Sequence, residues 1–263
     1  MNRFIQNIIL TLLIFLLCFS QTMEAKEIYH WNFKPASNNK PADTEPYYKQ
    51  ILEKHDGFFI GDTDEKVLYL TFDNGYENGY TEEMLDILKE KKVPATFFVT
   101  GHYLRSAPDL VKRMADEGHI VGNHSWNHPS LPALSDEKIT KELNSVKKEY
   151  QRITGDKNMN YLRPPQGTFN ENSIKKAREL GYLHVFWSFA YVDWETNSQK
   201  GKQYAYDSIM KRIHPGAVML LHTVSSDNSA ALGEVIDECR KQGYRFGSID
   251  EIASEKALEN ITP

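Results

Sequence analysis

The segment YLTFDNGYENG, Tyr69 to Gly79, closes an apolar run on an acid and an amide, Asp73 and Asn74. The run reads as a buried strand, so both side chains should project from its carboxyl end, where α/β folds keep their chemistry. A hydrolytic site there calls for two acids, a proton acceptor and a metal ligand, and only one is present. Further along, GNHSWNHPSL, Gly122 to Leu131, sets His124 and His128 four residues apart. On a helical turn residues i and i+4 share a face, so two imidazoles at that spacing can hold one cation. The metalloprotease pattern H-E-x-x-H needs Glu where this chain has Ser125, so the base has to come from another element. Asp73 is the natural supplier. Chance spacing of two surface histidines is the competing explanation.

Three more stretches carry polar residues at predicted strand ends. In LRPPQG, Leu162 to Gly167, the prolines stiffen the chain and Gly167 permits an unusual turn, so backbone amides near Gln166 can face a ligand in fixed orientation. The plainer reading is a rigid loop, with Arg163 in an ordinary ion pair. FAYVDWET contributes Asp193 and Trp194, which local packing alone would also explain, and VMLLHT ends on His222. A lone histidine at a strand end is more often structural than catalytic. Clusters at the ends of five strands weigh more, because barrel folds assemble their sites on that single face.

The elements that must position these residues follow a regular order. From Lys66 onward short apolar runs alternate with amphipathic helical stretches, the signature of a parallel α/β sheet or barrel. The predicted strands are Val67–Asp73, Ala95–Thr100, His119–His124, Tyr161–Arg163, Leu183–Trp187, Ala217–His222 and Tyr244–Phe246, one short of an eightfold barrel. Helix caps are expected at Ser106 with Asp109, at Ser135, at Asn170 and at Ser229, with stops at Gly118, Gly155, Gly181 and Gly243. Ile139, Leu143, Val146, Tyr150 and Ile153 recur at helical spacing and read as core. Residues 26–66 carry little periodicity but hold Pro35, Pro41 and Pro46, which suggests an extended arm laid on the domain formed by 67–263.

A chain of 263 residues with evenly spread apolar positions suits one large domain. The net charge of −5 and the lack of a long basic run argue against a nucleic-acid partner, and nothing implies a stable protein partner. Arg3 followed by the twelve-residue apolar segment Ile8–Phe19 predicts an export signal over residues 1–25, cut near Ala25, with an uncleaved anchor as the alternative. Cleavage leaves Cys239 as the single cysteine, so no intramolecular disulfide is expected.

With its motifs TFDNG, HSWNH, RPPQG, VDW and LLH in order between about Lys66 and Ser248, the chain resembles the polysaccharide deacetylases, the NodB-homology group of carbohydrate esterase family 4. The resemblance implies a distorted, incomplete (β/α) barrel with an open groove and a divalent, zinc-class metal. Carried over, Asp73 is the general base, Arg163 orients it, His222 is the general acid and Asp193 tunes His222. Asn74, His124 and His128 take the metal ligands' places, with Asn where the family has an acid, so the metal should be weakly held. Leu220 and Trp194 match the acetate pocket, and Tyr76 and Gln166 the substrate-binding residues. TFDNGYENGYT is most similar to the sporulation-type peptidoglycan N-acetylmuramic acid deacetylases that lead to muramic δ-lactam in spore cortex. The expected partner is therefore a peptidoglycan strand outside the cytoplasm. Deacetylation of N-acetylglucosamine in peptidoglycan or chitin-like oligomers is the enzymatic alternative. A sugar-binding pseudoenzyme using Tyr76, Trp126, Trp187 and Trp194 is the non-enzymatic one.

Overall fold

The computed structural model describes residues 27–37 and 40–259. In chain order these form β1 (Tyr29–His30), α1 (Pro46–Lys54), β2 (Val67–Asn74), α2 (Thr81–Lys91), β3 (Ala95–Val99), α3 (Gly101–Ser106), α4 (Pro108–Asp116) and β4 (Ile120–Asn123). There follow α5 (Asp136–Thr154), β5 (Tyr161–Leu162), β6 (Thr168–Phe169), α6 (Glu171–Glu179), β7 (Leu183–His184), α7 (Lys202–Met210), β8 (Ala217–His222), α8 (Ser226–Lys241), β9 (Arg245–Phe246) and α9 (Ile249–Glu259). The expected export signal lies outside the described residues. Among the described residues no helix is long and apolar enough to cross a membrane.

All seven predicted strands join one parallel sheet in the order β7-β5-β4-β3-β2-β8, with β9 beside the start of β2. Beyond β7 the chain leans across to β8: Val185 donates its amide to Leu162, and Ser188 donates to Val218. Phe58 bridges to Val185 and Ile60 to Ala217, so an irregular segment takes the place of an eighth strand. The barrel is therefore incomplete but filled. Strand alternation sorts its two faces. Leu68, Leu70 and Phe72 pack with Met84, Leu85 and Leu88 of α2, while Val67 and Tyr69 face inward with Phe98, Val185 and Val218.

Residues 27–37 and 40–66 are not extended throughout. Pro46 opens α1, where its missing N–H costs nothing, and α1 buries Ile51 and Leu52. Those residues share a third cluster with Trp31, Phe59, Phe169, Ile174 and Phe186.

Ser135 and Asn170 cap their helices as expected, Asn170 in a reciprocal box with Ser173. Two expected caps are corrected. Ser106 ends α3 and bonds back to His102, while α4 starts from Ala107 with Pro108 in its first turn, a proline that sets the start without a side-chain cap. Ser229 lies inside α8, which Ser225 caps one turn earlier through the amide of Asn228. The histidine pair is corrected as well. Residues 124–130 are not helical, and Ser125 (φ 64°) and His128 (φ 59°) both adopt the left-handed conformation.

Candidate active site

The carboxyl ends of β2, β4, β5 and β8 bring the chemical residues to one face. Asp73 and His222 are direct neighbours in the register of β2 and β8. Arg163, just past β5, is fully buried and donates from Nη1 to Asp73 Oδ1 at 2.8 Å. Its other donors meet backbone, Nε to Val185 O at 3.1 Å and Nη2 to Phe186 O at 3.4 Å. The guanidinium lies over Phe98, 4.3 Å from the ring centre. That ring needs Gly122 beside it, because a Cβ at 122 would come within 2.5 Å of Phe98. Burial alone would raise the Asp73 carboxyl, but Arg163, with His124 and His222, holds it below the usual carboxylate range. Asp73 is therefore an ionised acceptor in a dry place.

His222 shows the opposite tuning. Burial would lower its pKa, yet Asp193 outweighs this and raises it. Asp193 Oδ1 lies 2.7 Å from His222 Nδ1, and Oδ2 accepts from the His222 amide at 2.8 Å. A carboxylate can only accept, so Nδ1 carries a proton and Nε2 is the end free to exchange one. Asn228, at the start of α8, donates to Asp193 Oδ2 at 2.6 Å and receives the Tyr191 hydroxyl on its own carbonyl. Neither Asn228 nor Tyr191 was among the sequence candidates, and the only hint was the polar start of a helix.

His124 and His128 approach through a loop. His124 Nδ1 meets the carbonyl of Arg163 at 2.8 Å, which fixes the tautomer and leaves Nε2 as a lone pair. Burial pushes His124 down to about 4 and also lowers His128, so both rings are neutral at pH 7. Their Nε2 atoms are 3.2 Å apart. Two ligands about 2.05 Å from one zinc-class ion would stand at that separation with an angle of roughly 100°. Asn74 gives its amide N–H to Thr223 at 2.7 Å, while its Oδ1 is buried with no hydrogen-bond partner. Two neutral imidazole nitrogens and an orphaned amide oxygen fit a divalent cation. Among the described residues no group of three or more His, Cys, Asp or Glu side chains is placed to hold a metal. A cation here would depend on the uncharged Asn74.

The histidine loop is held from α5. Glu142 Oε2 accepts the amides of Trp126 (2.9 Å) and Asn127 (2.8 Å), and Oε1 accepts Asn127 Nδ2 at 2.7 Å. The Ser125 hydroxyl accepts the His128 amide. Glu142 was not among the sequence candidates, and it lies between the apolar positions Ile139 and Leu143 of its helix.

The remaining candidates line the same face. Leu220 is buried two residues before His222 on β8, and the ring of the exposed Trp194 meets that of His222 edge-on, with centroids 5.4 Å apart. Tyr76 is exposed just past β2. Gln166 is exposed and left-handed (φ 60°) in the turn after Pro165. Of the eleven sequence candidates, Asn74 and Arg163 are fully buried, whereas Tyr76, Gln166 and Trp194 are exposed.

Comparison with known proteins gives a consistent picture. Residues 60–185 match the family model described as polysaccharide deacetylase. The chain is 52% identical over 232 residues, 88% of each chain, to the peptidoglycan-N-acetylmuramic acid deacetylase PdaA of Bacillus subtilis. The solved structure of PdaA, a family 4 carbohydrate esterase, superposes with a TM-score of 0.86 over 88% of this chain and 99% of that one. A peptidoglycan-N-acetylglucosamine deacetylase of Bacillus cereus is 36% identical over 73% of this chain and 90% of its own.

Proposed function

The chain belongs to the polysaccharide deacetylase family, and from that premise we propose that it hydrolyses the N-acetyl group of N-acetylmuramic acid in peptidoglycan, releasing acetate. The reading is carried by two oppositely tuned groups in register on adjacent strands, Asp73 held ionised and His222 held protonated. A sugar-binding module has no use for such a pair. The identity to PdaA across most of both chains supports the muramic sugar over the glucosamine one.

Asp73 accepts a proton from the attacking water, and Arg163 keeps it charged while doing so. Water adds to the acetyl carbon, and the backbone amide at Gln166 faces the developing oxyanion. His222 Nε2 then gives its proton to the departing nitrogen as the C–N bond breaks, leaving acetate and a free amine. Asp193, steadied by Asn228, stabilises the imidazolium until that moment. Asn74, His124 and His128 would hold the divalent ion, which when bound polarises the acetyl oxygen and makes water more acidic. An amide in place of a carboxylate weakens that hold, so the protein is expected to lose its ion during purification. Leu220 and Trp194 flank the acetyl methyl, and Tyr76 meets the glycan. We assign the product to the route towards muramic δ-lactam in spore cortex, and the Ile8–Phe19 segment to export.

The test is acetate release from peptidoglycan glycan strands, with and without added Zn²⁺, for wild type and Asp73→Asn. Loss of the base is expected to lower kcat by about 10²–10⁴-fold. Full turnover of the chelated protein would refute the role of the ion. Mass spectrometry of the products should place the missing acetyl on the muramic sugar.

A further inference from the structure

The residues ahead of the sheet have no part in the mechanism above, yet they grip its frame. Tyr29–His30 pair antiparallel with Thr168–Phe169, adding a strand directly after the RPPQG turn. Trp31 follows and makes two directed bonds. Its backbone N–H donates to Gly167 O at 2.8 Å, and its indole N–H donates to Trp187 O at 3.0 Å. Its ring also stacks on Phe186, with centroids 4.4 Å apart.

Phe186 and Trp187 are the residues that support Arg163 from the other side. Arg163 Nη2 donates to the Phe186 carbonyl, and the guanidinium lies 5.7 Å from the Trp187 ring centre. Between the two supports sits Gly167 (φ 63°), where a Cβ would stand 2.9 Å from the Trp187 ring and 3.1 Å from Trp31 Cβ. Packing of the N-terminal residues would need only apolar area. Hydrogen bonds to the Gly167 and Trp187 carbonyls add direction, and both carbonyls belong to the backbone that carries the Gln166 amide and cradles Arg163.

We propose that Trp31 is a positioning residue of the site: it fixes the Pro165–Gly167 turn and, through Phe186 and Trp187, the guanidinium of Arg163 against Asp73. It touches no reacting atom. Displacing such a support by about 1 Å is enough to slow a reaction by as much as ~100-fold, because the loss falls on the transition state rather than on binding.

The kinetic arm of the test rests on the deacetylase reading, and the second arm does not. On peptidoglycan glycan strands, Trp31→Ala should lower kcat by about tenfold or more with KM within about twofold. Both variants keep the backbone N–H to Gly167 and lose the indole N–H to Trp187, but Trp31→Phe keeps an aromatic ring against Phe186 and should recover part of the loss. Tyr48→Ala is the control for packing alone: Tyr48 stacks in the same cluster, 6.2 Å from Trp31, without a hydrogen bond to the turn. It should lower the melting temperature and leave kcat of the folded protein unchanged. Independently of turnover, amide exchange should quicken over residues 166–168 and 186–188 in Trp31→Ala and stay put in Tyr48→Ala. A wild-type protein that releases no acetate would sink the deacetylase reading and leave exchange to decide. A folded Trp31→Ala protein with wild-type kcat overturns the proposal, as does unchanged exchange over those residues.

Discussion

Asp193 earns attention first because it has no chemistry of its own and yet decides that of His222. With its charge removed, burial and Arg163 act on the imidazole against the weaker pull of Asp73 alone, and His222 should lose its proton at lower pH than in the wild type. Asp193→Asn is therefore expected to move the alkaline limb of kcat/KM to lower pH, with the acid limb in place. A limb that stays put would mean that His222 is not the proton donor. Asn74 poses the complementary case. Its amide already meets Thr223, whose hydroxyl can donate to a carboxylate as well as accept from an amide, so Asn74→Asp can fit without repacking. A charged oxygen should tighten Zn²⁺ binding by about tenfold or more in a calorimetric titration. Unchanged affinity would remove Asn74 from the ligand set.

The loop from β4 to α5 shows how an irregular segment gains definition. Ser125 and His128 are both left-handed, a conformation unfavourable to side chains other than glycine, and they persist because Glu142, Asn123 and Ser125 satisfy the loop's amides. Glu142→Ala frees the amides of Trp126 and Asn127. Removing a support of this kind costs about 10–100-fold in metal affinity, so Zn²⁺ binding should fall by that order while His222 keeps its pH profile. Equilibrium dialysis would check the first and the kinetic pH profile the second. If the variant binds Zn²⁺ as tightly as wild type, the loop is held by something other than Glu142.

The histidine complement as a whole sets the response to pH. His119, His124, His128, His184 and His214 are all lowered by burial, His124 to about 4 and His184 to about 3. For each, the unfolded chain binds the proton first, so stability is lost as pH falls below about 6.5. At pH 5, His124 and His184 together take up nearly two protons on unfolding, on the order of 2–3 kcal/mol per pH unit. His222, raised, contributes below about 6.5 and loses that contribution as pH climbs through its folded value, while Asp73, lowered, keeps its contribution down to about 4. The melting temperature should therefore be highest near neutrality and fall well before the carboxylates titrate. A midpoint level from pH 7 to pH 5 would contradict this.

What the sequence by itself determined is local in origin. Short apolar runs set between helical stretches named all seven sheet strands, because strands covered on both faces are apolar nearly throughout, and Asn170 and Ser135 announced their helices through bonds spanning three residues. Asp73, Arg163 and His222 were legible because each ends or follows such a run. The tertiary structure alone decided what depends on distant chain. Glu142 meets Trp126 across 16 positions, Asn228 meets Asp193 across 35, and Trp31 meets Trp187 across 156. No periodicity records such pairings, since only folding brings these residues together. The helical reading of His124 and His128 failed for the same reason: two left-handed residues, paid for by contacts from α5, replaced the regular turn that their spacing suggested.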